Sequence, residues 1–388
     1  MCFRQSKVFL VFLLWFAGLG AAAQFAKIAV PFGLVREAFP EVGNEIGWLL
    51  SLISLVGAVL GIVAGDVVGR LGARRVLLFG LSLGAIVSFW QIALVSFGPM
   101  LASRLVEGAS HLAIVVSAPT LISQLSDKRY IGPAMTLWST FFGVAFAIVA
   151  WVVMPLVASD GFTVLLGGHG VYLAVIAVLV ALAVPESRME AVAKSDANPD
   201  IVKAHIRTYT SPRIAAPGAG WLLYTLTFVS LLALLPERLP RDQGIWAAGL
   251  MPLVSIAVAL VVVPIFLRRH SSVAIIIAGF ALASALVLFN VFLNLQLLFA
   301  VGLFALLGLV QGASFSAVPE LNSEAKDQAL AYGFMAQAGN LGNLLGTPLL
   351  IFVAGHFGEI GMFLSIAVLY LLGILLHWLL AKTRGAPR

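Results

Sequence analysis

Two hexapeptides decide the fold: Leu105-Val106-Glu107-Gly108-Ala109-Ser110 and Leu309-Val310-Gln311-Gly312-Ala313-Ser314. They differ at one position and lie 204 residues apart. Each sits in a long apolar run and is followed by a proline, Pro119 or Pro319, and then by a short polar loop. Counting apolar runs outward, the first falls in run 4 and the second in run 10. Equal places in two sets of six indicate a duplicated chain. Two parallel six-helix halves, related by an axis along the membrane normal, are an architecture of secondary transporters.

The composition supports a membrane reading. Of 388 residues, 61% are apolar and 10% charged, against about 45–50% and about 25% in soluble domains. A soluble enzyme, a disordered chain and a fibrous protein are excluded. About 20 apolar residues cross a bilayer core, and twelve such spans are expected. They run over 9–34, 46–68, 76–96, 100–122, 134–157 and 162–184, then 218–235, 245–267, 273–293, 296–317, 329–354 and 360–380. The runs are continuously apolar, whereas barrel strands alternate, so the fold class is an all-α integral membrane protein. The first run resembles a signal peptide up to Ala21-Ala22-Ala23, but it continues to Leu34 and reads as an uncleaved span. The single cysteine, Cys2, permits no internal disulfide.

One connection is long and polar. Residues 185–217 carry mixed charges with Pro at both ends, dividing the chain into an N-terminal bundle, 1–184, a linker, and a C-terminal bundle, 218–388. Cytoplasmic loops retain Lys and Arg. The loop set containing both termini and the linker holds 18 basic and 9 acidic residues, the opposite set 3 and 7, and the spans 2 and 1. Both termini and the linker are therefore expected in the cytoplasm, and a bacterial inner membrane is the expected location. The net charge of +6 is an orientation signal, not a nucleic-acid footprint.

At this point the chain resembles the major facilitator superfamily over essentially its full length. The most specific element is Gly65-Asp66-Val67-Val68-Gly69-Arg70-Leu71-Gly72-Ala73-Arg74-Arg75, between spans 2 and 3. Gly65, Arg70, Gly72, Arg74 and Arg75 match the family pattern; Gly69 stands where the family has an acid, and Asp66 lies about one turn earlier. The resemblance implies a cytoplasmic gate of Asp66, Arg70, Gly72, Arg74 and Arg75. Arg104 followed by Gly108 also matches. Span 5 lacks the Gly-Pro pair of the family's drug/proton antiporters. Gly339, Gly342 and Gly346 share a face of span 11 and are expected to serve helix packing. At subfamily level there is a faint likeness to the cyanate and nitroimidazole permease group, which assigns no substrate.

Ionisable groups inside membrane helices mark function by default, since each costs at least about 2.5–3.5 kcal/mol near the bilayer centre. Gln24, Lys27 and Pro31 share a face of span 1; Arg104, Glu107, Gly108 and His111 share a face of span 4. At 1.5 Å per residue, Lys27 and Glu107 each lie about 10 Å below the outer ends of their spans. The family resemblance implies that spans 1, 4, 7 and 10 line the central cavity. Lys27 and Arg104 are expected to attract an anionic substrate, with Glu107 and His111 exchanging the coupled proton. His169 in span 6 is expected to be structural. The second half has no Lys, Arg, Asp or Glu away from helix ends; Gln311, Asn340 and Asn343 are its candidate substrate contacts, and Gln24 joins them from the first half.

The resulting expectation is a proton-coupled transporter of a small organic anion working by alternating access. Proton-driven efflux of amphipathic compounds, and a non-transporting receptor or scaffold, are the alternatives. The six histidines have no metal-ligand spacing, and no phosphate-binding loop is present, so no enzyme activity, cofactor, metal or ATP is expected. The partners are the lipid bilayer, the substrate and protons.

Overall fold

A computed structural model describes residues 6–94, 96–127, 130–185, 201–293 and 296–385. Among these the chain is helical with short connections and contains no strand. Nine helices are long and apolar enough to cross a membrane. Two bent pairs, Pro40–Ser51 with Ser54–Gly61 and Pro133–Ser139 with Phe141–Val157, each turn by 43° and bring the number to eleven when each counts as one span.

Span 1 is Lys7–Ala29. It stops short of the expected Leu34 because Pro31 has no N–H to continue the ladder, and Phe32–Ala38 is a separate short helix. Span 2 begins earlier than expected, in the 3-10 turn Pro40–Gly47, and breaks between Trp48–Ser51 and Ser54–Leu71. Span 3 is Ala73–Ile92, span 4 Phe97–Leu125 and span 6 Phe162–Ala183. Span 5 runs in pieces from Ile131 to Asp160. In the second set, span 7 is Pro212–Leu234, span 9 Ser272–Leu293 and span 10 Gln296–Leu321. Span 8 starts with Arg241–Ala257 and passes through the π turn Val258–Val262. The last helix, Ala325–Gly385, is interrupted at Gly358, where φ is +69°. Only glycine adopts that conformation at low cost, so the stretches before and after it, spans 11 and 12, change direction there.

The two hexapeptides occupy matching places. A Cβ on Gly108 would collide with the Ile53 carbonyl of span 2. A Cβ on Gly312 would lie 2.9 Å from the Ala259 carbonyl of span 8. Each glycine lets the fourth span of its set approach the backbone of the second.

Between the first six spans and the last six, small residues form two seams. Along span 2, Asn44 packs on Gly355, Gly47 on Pro348 and Ile351, and Gly57 on Asn340 of span 11. Between spans 5 and 8, Gly143 meets Pro252 and Ile256, and Trp151 fills the notch at Gly249. The Trp151 Nε1–H donates to the Ile245 carbonyl at 3.2 Å. In the loops, Arg36 pairs with Glu237 at 3.3 Å. Burial pushes the Glu237 carboxyl above the usual range, against the opposing pull of Arg36 and Arg238. Gly339, Gly342 and Gly346 face Trp221, Thr225 and Leu226 of span 7, the packing role their spacing suggests.

Candidate functional site

Spans 1, 3, 4 and 6 bring one polar cluster together in an apolar surround. Lys27, Arg104 and Glu107 are each 0% exposed. The Lys27 ammonium lies 2.5 Å from Glu107 Oε1. It also donates to Gln91 Oε1 at 2.7 Å and to Ser88 Oγ at 2.9 Å, with His169 Nδ1 at 3.3 Å. Arg104 pairs with Glu107 Oε2 through Nη1. Glu107 thus bridges both cations, and its Oε2 also accepts from Gln91 Nε2 at 3.0 Å.

The rest of the Arg104 guanidinium repairs backbone. Its Nε donates to the Leu49 carbonyl at 2.7 Å, just before the break in span 2, and Nη2 donates to the Gln24 carbonyl at 2.8 Å. A broken helix in a bilayer needs such substitutes, because no water is there to solvate freed carbonyls. The fork of five donors suits the task. Gln24 adds a bond from Nε2 to Ser110 Oγ at 2.8 Å, and Ser110 donates to the Gly80 carbonyl at 2.7 Å.

His169 completes the cluster. Its Nε2 faces the Gly20 carbonyl at 2.9 Å. A carbonyl only accepts, so Nε2 carries the hydrogen and Nδ1 keeps a lone pair. Ser88 then donates to Nδ1 at 2.7 Å and accepts from Lys27. Every contact around Lys27 is an acceptor, which suits an ammonium. With His169 neutral, two cations against one carboxylate leave +1 in the dry interior.

Sequence reasoning brought Lys27, Glu107, Arg104 and Gln24 together as neighbours, but it missed Ser88 and Gln91 and set His169 apart as structural. Isolated polar residues at positions 88 and 91 of an otherwise apolar helix, one turn apart, were the available signal. His111 does not touch Glu107 in a hydrogen bond. It is half-buried, with Nδ1 3.1 Å from the Ala21 carbonyl and its ring edge-on to Phe25 at 5.1 Å.

The remaining candidates lie elsewhere. Gln311 Oε1 accepts from Tyr224 at 3.2 Å and Ser255 at 3.0 Å. That fixes the amide, and among the described residues its Nε2 has no acceptor. Asn340 packs at Gly57 on the span 2 seam and donates to its own helix at Ala336, 2.9 Å away. Asn343 is half-buried, and its Oδ1 has no partner among the described residues. Gly72 ends span 2 with φ +88°. Arg74 donates to the Ala181 and Val184 carbonyls at 2.7 Å each, capping span 6, and Arg75 is exposed. The side chains of Asp66 and Arg70 fall outside the described residues. Among those residues no three His, Cys, Asp or Glu side chains converge as a metal site.

The family model of the Major Facilitator Superfamily matches residues 8–325. The chain belongs to that family. It is therefore a multi-pass membrane protein and a secondary transporter of small molecules, not an enzyme. The matched region contains both hexapeptides and the whole buried cluster. No curated protein matches the chain.

Proposed function

We propose that this facilitator couples a proton to the movement of a small organic anion, with Glu107 as the proton carrier. The observation that supports this is the single carboxylate bridging two fully buried cations. While Glu107 is ionised, it occupies Lys27 and Arg104, and the site holds +1. Protonating Glu107 breaks both ion pairs and raises the charge to +2, which a monoanion returns to +1. Proton and anion therefore enter the site together and leave together. Gln311, the repeat counterpart of Glu107, supplies neutral donors from the other half, with Asn340 and Asn343 as further substrate contacts. His111, half-buried one turn beyond Glu107, is the second proton-exchanging group in this reading.

In this reading the chain has twelve spans in two bundles, 1–184 and 218–388, with the 185–217 linker and both termini cytoplasmic. Residues 66–75 are its cytoplasmic gate, the bacterial inner membrane its location, and movement follows alternating access. The test is ligand-induced thermal stabilisation of the purified protein by small carboxylates across a pH series. Wild type should bind better at lower pH, and Glu107→Gln should bind with no pH dependence. Equal pH dependence in both proteins, or stabilisation by hydrophobic cations instead of carboxylates, would overturn the proposal.

A further inference from the structure

The turn between spans 8 and 9 plays no part in the charge cluster. Span 8 ends in the short helix Val263–Phe266. The chain then folds back tightly: the Arg269 and His270 N–H groups both donate to the Phe266 carbonyl, at 3.0 and 2.9 Å. That turn holds Arg268, Arg269 and His270 side by side. Span 9 starts at Ser272, whose N–H and hydroxyl both donate to Glu320 Oε2 of span 10, at 2.8 and 2.5 Å. The carboxylate that reaches this turn is therefore already engaged. Among the described residues no acid pairs with Arg268 or Arg269.

These three side chains share a recess with the last apolar residues of span 8. It is lined by Ile265, Phe266, Arg268, Arg269 and His270 and has a volume of about 400 Å³, within the roughly 300–1,000 Å³ of small-molecule sites. All five are exposed, Ile265 at 54% and Phe266 at 44%. The exposed apolar strip continues along the span through Val261 and Leu260. Such a strip on a membrane helix meets acyl chains. Orientation alone calls for cations at this end of the span. It does not call for a hollow in which they stand against apolar side chains open to lipid.

Each part of the recess matches one part of a phospholipid. A guanidinium fork grips two phosphate oxygens, and His270 donates a ring N–H whether neutral or charged. Ile265 and Phe266 border the start of the chains. A soluble anion would use the cations and leave the apolar side uncovered. We propose that this recess binds an anionic glycerophospholipid, its phosphodiester held by Arg268, Arg269 and His270 and its acyl chains lying along Phe266, Ile265 and Val261. The topology proposed above puts this lipid in the cytoplasmic leaflet. Gly249 and Pro252 of the same span meet span 5, so the lipid anchors a helix of the seam. Lys27, Arg104 and Glu107 take no part.

The test is native mass spectrometry of the full-length protein in detergent, titrated with dioleoylphosphatidylglycerol, dioleoylphosphatidylcholine and glycerol 3-phosphate. Each arginine near a membrane surface favours an anionic headgroup by about fivefold, so two give roughly 25-fold. Phosphatidylglycerol should bind with that preference over phosphatidylcholine, and Arg268→Gln with Arg269→Gln should remove it. Lys382→Gln with Arg384→Gln takes the same charge from the end of span 12 and should retain the preference. Equal binding of the two lipids by wild type overturns the proposal. Equal loss in both double variants also overturns it, since the attraction would then belong to the whole positive face. Displacement of phosphatidylglycerol by equimolar glycerol 3-phosphate would make this a soluble-phosphate site and overturn the lipid assignment. The wild-type comparisons decide the matter even where a variant fails to fold.

Discussion

Glu107→Gln removes one negative charge and almost no volume, so it isolates the electrostatics of the cluster. Lys27, Arg104 and Glu107 are all 0% exposed, and water cannot replace the lost charge. The glutamine amide can keep one acceptor bond, but its NH2 must then point at a cation or at Gln91 Nε2, which is itself a donor. Breaking a buried ion pair by removing one partner costs about 3–5 kcal/mol, and here two cations share the partner. The expected loss lies at or above the top of that range, and it belongs to charge, not packing. Lys27→Met on the Glu107→Gln background removes one of the stranded cations at similar length. The double variant should therefore be more stable than Glu107→Gln alone, a reversal that simple damage would not give. Coupling between residues in one network is about 0.5–3 kcal/mol. Denaturant unfolding in mixed micelles, followed by tryptophan fluorescence, measures wild type, Glu107→Gln, Lys27→Met and the double variant. If Glu107→Gln lies within about 1 kcal/mol of wild type, or if the double variant is the sum of the singles, Glu107 is not what holds the two cations in the bilayer. A carboxylate ligand at a hundredfold its Kd should restore about 2.7 kcal/mol to Glu107→Gln.

Other outcomes follow from the same geometry. Gly108→Ala drives a methyl into the Ile53 carbonyl and Gly312→Ala one toward Ala259; each should cost about 1–3 kcal/mol, and unchanged unfolding midpoints would show that the repeat glycines do not set helix spacing. Burial holds the Glu237 carboxyl above its usual range, so the stability it contributes is full below the ordinary Glu range and is lost as pH rises through its raised pKa. Glu237→Gln should then match or exceed wild-type stability near neutral pH and equal it in acid; destabilisation near neutrality would mean that the Arg36 pair outweighs burial. His169→Phe leaves Ser88 without its acceptor and should cost about 1–3 kcal/mol, with His169→Asn recovering part of it. Reporter fusions after Ala158 and at Arg388 should report opposite sides of the membrane; signals from the same side would overturn the assigned topology.

The legibility of the site differed from residue to residue. Lys27, Arg104 and Glu107 were readable because a charge in an apolar run has no inexpensive explanation. Gly108 and Gly312 were readable because a repeat exposes positions where only a small residue fits. Ser88, Gln91 and His169 were not, since a single hydroxyl, amide or imidazole in a membrane helix commonly bonds to its own or a neighbouring backbone. Their joint meaning depends on spans 1, 3 and 6 converging at one depth. The pairing of His111 with Glu107 failed for a related reason: a shared helix face sets direction but leaves the rotamer open, and the His111 ring turns to Ala21 and Phe25.

By itself the sequence determined the membrane class, the repeat, the family and the charges that matter. Those properties are written in composition and in spacing along one helix, where 3.6 residues per turn fixes which side chains share a face. The tertiary structure alone decided that Glu107 bridges two cations and that Arg104 mends the break in span 2. It also decided that the His111 ring turns to Phe25 and Ala21. Such contacts join residues from different helices, and their geometry is set by how closely the helices pack and how each is rotated. A single helix's periodicity contains neither quantity.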